Sequence, residues 1–229
     1  MKRIGLIGGM SWESTALYYR LLNQGVAARL GGLHSADLVL ASVDFAPIAR
    51  LQADGRWDEA GGVLAERARQ LEAAGAELLV LCTNTMHQVA PAIEAAVTVP
   101  LLHIIDVTAA AARKAGLRRL GLLATGFTMG QPFYRDRLAT HDLDAIVPDA
   151  AGRELVHRII YDELCRGVIT EDSRRRVRAV VEDLVARGAD GIILGCTEIE
   201  LLVGPADSPV PVLPTTALHA AAALDAALA

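Results

Sequence analysis

Short, near-continuous apolar runs alternate along this chain with stretches whose apolar positions recur every three or four residues. The runs predict strands at Arg3–Ile7, Leu38–Val43, Leu78–Leu81, Leu101–Ile104, Arg119–Leu123, Ala145–Val147, Gly191–Leu194 and Val210–Leu213. Uninterrupted apolar strands are the mark of parallel sheets covered on both faces. The periodic stretches predict helices. Ser14 or Thr15 caps one that buries Leu17, Leu21 and Leu22. A second runs from about Asp58 to Ala74 and stops at Gly75. A third, Glu154 to Arg166, buries Leu155, Ile159 and Leu164 and stops at Gly167. A fourth, Ser173 to Arg187, stops at Gly188, each glycine being suited to a helix C-terminus. Strand–helix alternation reads as α/β with right-handed crossovers.

The pattern also repeats. Arg3-Ile-Gly-Leu-Ile matches Arg119-Leu-Gly-Leu-Leu. Gly75-Ala-Glu, an apolar run and Cys82-Thr83 match Gly188-Ala-Asp, an apolar run and Cys196-Thr197. Val99-Pro-Leu-Leu matches Val210-Pro-Val-Leu. Three anchors in one order, with slowly drifting offsets, point to a tandem duplication. The expected fold is α/β with two pseudo-symmetric doubly wound lobes, each a mostly parallel sheet flanked by helices. Lobe 1 is residues 1–100 with 211–229 packing back on it, and lobe 2 is 101–210. Ligands of such sheets bind beyond the carboxyl ends of the strands, so the active site is expected in a cleft between the lobes.

Composition narrows the function. A net charge of −5 and 4% aromatic residues leave neither a basic surface nor stacking platforms for nucleic acid. Arg174-Arg175-Arg176 reads as a solvated helix face. No apolar run reaches the roughly 18 residues of a membrane helix, and the N-terminus has no signal-peptide pattern. Three cysteines without close spacing suit free thiols in a reducing cytoplasm.

Chemistry concentrates at the matched cysteines. Cys82, in Leu-Val-Leu-Cys-Thr-Asn-Thr, and Cys196, in Ile-Ile-Leu-Gly-Cys-Thr-Glu, each follow a strand and precede polar residues able to open a helix. A thiol there is expected to have a lowered pKa, through the helix dipole and free N–H groups. The neighbouring hydroxyls and amide suit a small carboxylate. Cys165 has no counterpart and is expected to be inert, packed near a helix end. Gly8-Gly9-Met10-Ser11 and Thr125-Gly126-Phe127-Thr128-Met129 occupy equivalent loops and offer amides and hydroxyls. Dinucleotide and phosphate-loop glycine motifs are absent, as is Gly-x-Ser-x-Gly. His87, expected on the helix after Cys82, and His103 lack metal-ligand spacing, so no metal is expected. The only lysines, Lys2 and Lys114, do not mark a pyridoxal site.

Residues 1–15, Val80-Leu-Cys-Thr-Asn-Thr-Met-His and Leu194-Gly-Cys-Thr-Glu-Ile together resemble the aspartate/glutamate racemase family. The nearest likeness is to its bacterial branch of broad-specificity or aspartate/glutamate amino-acid racemases. Gly31-Gly-Leu-His-Ser, Ser42-Val-Asp-Phe and Phe133-Tyr-Arg extend it nearly end to end. The resemblance implies a cofactor-independent enzyme, usually a homodimer, with Cys82 and Cys196 as the two acid/base residues. It implies that Thr83, Asn84, Thr85 and Thr197 hold the α-carboxylate. Met10, Gln52, Thr128 and Arg166 fall where the family contacts substrate, and Glu198, beside the second cysteine, is counted with the substrate-binding residues. Some relatives lack the first cysteine and are one-sided; this chain keeps both.

The expected activity is 1,1-proton transfer on aspartate or glutamate, one cysteine removing the α-proton and the other protonating the opposite face. Related members act on maleate, so cis–trans isomerisation of a dicarboxylate through a cysteine nucleophile is an alternative. A non-catalytic amino-acid-binding module is another, although binding alone needs neither thiol.

Overall fold

The computed structural model describes all 229 residues. The chain forms two compact units, Met1–Ile104 with His219–Ala229, and Ile105–Leu218.

The first unit is built on a four-stranded parallel sheet of β1 (Ile4–Gly8), β2 (Leu38–Ser42), β3 (Leu78–Leu81) and β4 (Leu101–Leu102), in the order β2-β1-β3-β4. β1 and β3 are central and wholly buried, which is why their apolar runs are unbroken. β2 is an edge strand with Leu40 exposed, so it is not covered on both faces as its run suggested. α1 (Trp12–Leu30) buries Tyr18, Leu22 and Val26 on one sheet face with Ala220, Ala223 and Leu224 of the last helix. α2 (Phe45–Ala53) and α3 (Trp57–Ala73) bury Ile48, Leu64, Ala68 and Leu71 on the other.

The cap of α1 is Ser11, not Ser14 or Thr15. The Ser11 hydroxyl accepts from the Ser14 amide at 3.3 Å. Thr15 faces back instead: its Oγ1 accepts from the Gly9 amide at 2.8 Å and donates to the Ser11 carbonyl at 3.0 Å. Leu17 and Leu21 are only half-buried, and Tyr18 takes the core position between them.

The second unit repeats the plan. A short α4 (Ala90–Glu94) precedes β4 in the first unit, and α5 (Ile104–Lys114) leads into β5 (Arg119–Leu123). After α6 (Gly126–Gly130), α7 (Phe133–Ala139), β6 (Asp144–Ile146), α8 (Ala150–Arg158) and α9 (Glu171–Ala186) come β7 (Gly191–Leu194), α10 (Ile199–Leu202), β8 (Val212–Pro214) and α11 (Thr215–Leu228). The strand order is β6-β5-β7-β8, again all parallel, with β5 and β7 central.

The repeat extends to packing. A Cβ on Gly5 would meet Leu79 Cδ2 at 2.7 Å and Leu71 Cβ at 3.3 Å; one on Gly121 would meet Ile192 Cδ1 at 2.7 Å and Leu184 Cβ at 3.2 Å. Both glycines let a helix close onto the central strand, where any larger residue would force it away. Glu77 accepts from the Arg3 amide at 2.9 Å, and Asp190 from the Arg118 and Arg119 amides at 2.8 and 3.0 Å, each carboxylate tying its central strand to the neighbour.

The third predicted helix is altered. α8 starts earlier, at Ala150, because Asp149 caps it by accepting from the Gly152 amide at 2.8 Å. It ends at Arg158, and the chain continues as one wide turn of π-helix, Ile159–Glu163, and a 3₁₀ turn, Leu164–Arg166, before Gly167 in the left-handed region. Within α8 the buried position is Val156, while Leu155 is only half-buried.

Candidate active site

Both sheets present a cysteine beyond the carboxyl end of the equivalent central strand. Cys82 directly follows β3, and Cys196 follows β7 after Gly195. All three cysteines of the chain are free.

In the first unit the Cys82 amide donates to the Ile7 carbonyl at 2.9 Å, which extends the β1–β3 pairing by one residue. The Thr83 amide donates to the Leu81 carbonyl at 2.9 Å, turning the chain out of the sheet. Cys82 is fully buried against Ile4, Leu6, Tyr18 and Leu22, and its Sγ lies 3.8 Å from the Val80 carbonyl oxygen. Asn84 and Thr85 are buried and Thr83 half-buried. Thr85–Val89, including His87, forms a 3₁₀ turn rather than the start of a long helix. Met10 and Gln52 are buried near Met86: Met10 packs in the same apolar cluster, and the Gln52 amide nitrogen lies 2.8 Å from Met86 Sδ.

In the second unit Cys196 is 7% exposed, and its thiol donates to Glu198 Oε2 at 3.0 Å. Thr197 and Glu198 are half-buried in the turn before α10. Thr128 is buried in α6, whose cap is Thr125, accepting from the Thr128 amide at 3.4 Å. Thus Ser11 and Thr125 cap the helices that follow the matching strands β1 and β5. Arg166 is exposed at the end of its 3₁₀ turn. Cys165 beside it, in the same 3₁₀ turn, is exposed and not packed away.

The expected lowering of the thiol pKa is overturned. Burial pushes Cys82 well above the ordinary cysteine value, and the short 3₁₀ turn after it does not compensate. Cys196 is raised too, first by burial and then by the Glu198 charge. Both cysteines therefore rest as thiols. Three residues that the motifs did not point to share the electrostatics around Cys196. Burial pushes Tyr161 up to about 12, with the charges of Cys165, Cys196 and Glu198 adding to it. Burial pushes Glu200 up to about 7, opposed by its bond from the Thr216 amide at 3.0 Å. Cys165 is pushed up to about 11 by burial and then by Glu198. Only the acidic character of Cys-Thr-Glu-Ile-Glu hinted at this in the sequence.

Glu198→Gln removes a charge that disfavours the Cys196 thiolate. With Cys82 and Cys165 replaced by alanine, the pH profile for alkylation of Cys196 by iodoacetamide should move to lower pH in Glu198→Gln. An unchanged or upward-shifted profile would contradict this coupling.

Residues 7–223 match the family model described as Asp/Glu/hydantoin racemase. The chain belongs to the Asp/Glu/hydantoin racemase family. A solved structure described as a candidate Asp/Glu racemase from Yersinia pestis is 56% identical and superposes with a TM-score of 0.95, covering 100% of both chains. An aspartate racemase homologue from Pyrococcus horikoshii OT3 is 32% identical, with a TM-score of 0.89 and 100% of both chains covered. A glutamate racemase from Shewanella loihica is 27% identical over 125 residues, 55% of this chain and 46% of that protein. The chain matches about half the length of the curated glutamate racemases to which it is similar. Family membership and these neighbours place it among the amino-acid racemases. No helix is long and apolar enough to cross a membrane.

Proposed function

We propose that the chain racemises an acidic amino acid, aspartate or glutamate, without a cofactor, by two-base 1,1-proton transfer between Cys82 and Cys196. The observation that carries this reading is the matched placement of the two thiols. Each lies just beyond the same central strand of an equivalent sheet, in a chain of the racemase family.

A buried thiol is a poor base until the complex forms. Substrate brings an ammonium group, whose positive charge favours a thiolate in a site of low dielectric. Glu198, accepting the Cys196 hydrogen at 3.0 Å, is placed to take that proton. The thiolate then removes the α-proton, and the opposite thiol donates to the other face. Thr83, Asn84, Thr85 and Thr197 are assigned to the α-carboxylate, where donors in a desolvated site stabilise the negative charge that develops as the proton leaves. Met10, Gln52, Thr128 and Arg166 are assigned to further substrate contacts. The chemistry requires reduced thiols, which goes with a cytoplasmic location, and the assembly is taken to be a homodimer.

The test is chiral chromatography after incubating reduced protein with single enantiomers of aspartate, glutamate and several neutral amino acids, with maleate in parallel. Formation of the opposite enantiomer of aspartate or glutamate is expected. Isomerisation of maleate with no amino-acid turnover would replace racemisation by dicarboxylate isomerisation through a cysteine nucleophile.

A further inference from the structure

The first unit contains a group of buried imidazoles that the proton transfer does not use. His87, His103 and His219 are 2%, 5% and 0% exposed. The His87 ring lies 4.6 Å from that of His103 and 5.8 Å from that of His219 between centroids. One of the three is bonded directly to the chain that carries Cys82. His87 Nδ1 is 2.7 Å from the Thr83 carbonyl oxygen, and the Ile104 amide donates to His87 Nε2 at 3.2 Å.

These two bonds fix the chemistry of the ring. An amide N–H can only donate, so Nε2 must be the unprotonated acceptor. The hydrogen of the neutral ring is then on Nδ1, and it donates to Thr83. His87 so ties the turn after β3 to Ile104, the first residue of α5 and two residues beyond the end of β4, through one rigid side chain. Thr83 has no other restraint of this kind from the strand ladder, since β3 ends at Leu81 and the Thr83 amide bonds back to Leu81.

We infer that His87 is a positioning residue, which as the neutral Nδ1–H tautomer holds the Cys82–Thr83 turn so that the Cys82 thiol is presented in a single orientation. The inference rests on the racemase reading above for its effect on turnover, and on the hydrogen bonds alone for its effect on the turn. An asparagine can reproduce the half of the device that matters. Asn23 Nδ2 already donates to the Tyr19 carbonyl at 2.7 Å across the same four-residue reach.

The experiment has three readings on the full chain. Long-range proton–nitrogen NMR of the wild-type protein should show His87 neutral with its hydrogen on Nδ1. In His87→Leu, amide hydrogen exchange in the peptide spanning residues 81–87 should rise about fivefold to tenfold, the loss of one hydrogen bond. The α-proton exchange that depends on Cys82, identified as the one Cys82→Ser abolishes, should fall by a similar factor in kcat with KM little changed. The exchange that depends on Cys196 should persist, and His87→Asn should restore both readings. A hydrogen on Nε2, or a His87→Leu protein with unaltered amide exchange, would overturn the inference. So would an equal loss from both enantiomers that asparagine does not restore. If wild-type protein exchanges no amino acid, the racemase reading fails, and the tautomer and the amide exchange still decide whether His87 holds the turn.

Discussion

Cys82→Ser and Cys196→Ser should each lose racemisation by about 10²–10⁴-fold, the usual contribution of a positioned acid or base. Their residual activities should be mirror images. A serine hydroxyl is too weak an acid to form the required anion, so the altered face neither gives up nor returns a proton at a useful rate. The face served by the remaining cysteine still can. Cys82→Ser should therefore exchange the α-hydrogen of one enantiomer with solvent, and Cys196→Ser that of the other. Proton NMR of each variant in D2O, with each enantiomer separately, measures this. Identical behaviour of the two variants would deny the cysteines opposite faces. Full activity in either would remove that cysteine from the mechanism.

The stability of the protein should fall by about 3 kcal/mol as pH drops from about 6.5 to about 4, through His219 alone. His219 is wholly buried in α11. Its Nε2 hydrogen bonds to the Leu102 carbonyl at 2.9 Å, and Tyr18 Oη lies 2.9 Å from Nδ1. Burial, with a lesser contribution from His103, lowers its pKa from 6.5 to about 4. Between those values the unfolded chain binds a proton that the folded chain does not. The contribution is thus complete above pH 6.5, declines as pH falls and is gone below about 4. Urea midpoints across this range should show the slope, and His219→Gln should flatten it. A variant with the wild-type slope would place the acid sensitivity elsewhere.

Much of the architecture is legible in the sequence because its causes are local. β1, β3, β5 and β7 are buried on both faces, so they read as apolar runs, and the glycines at 75 and 188 mark real chain reversals. The repeat of Arg-x-Gly-x-x, Gly-Ala-acid and Cys-Thr survives because each piece does the same work in its own sheet. The misreadings have causes that are distant in sequence. Tyr18 is a core residue because His219, 201 positions away, satisfies its hydroxyl. The helix predicted to run unbroken to Arg166 stops at Arg158 because the chain widens there into a π turn that no composition signals. The cysteine positions were readable, but their acidity was not. A motif shows the polar residues beside a thiol, whereas the pKa follows from how much protein surrounds it, and in Cys196 from the direction in which Glu198 folds back.

The most direct measurement is α-proton exchange of the wild-type protein in D2O, under reducing conditions and with no cofactor added, on single enantiomers of aspartate and glutamate. Deuterium should enter the α-position together with appearance of the opposite enantiomer. Absence of both for every amino acid tried, with the protein folded and its thiols reduced, would contradict two-base racemisation by Cys82 and Cys196.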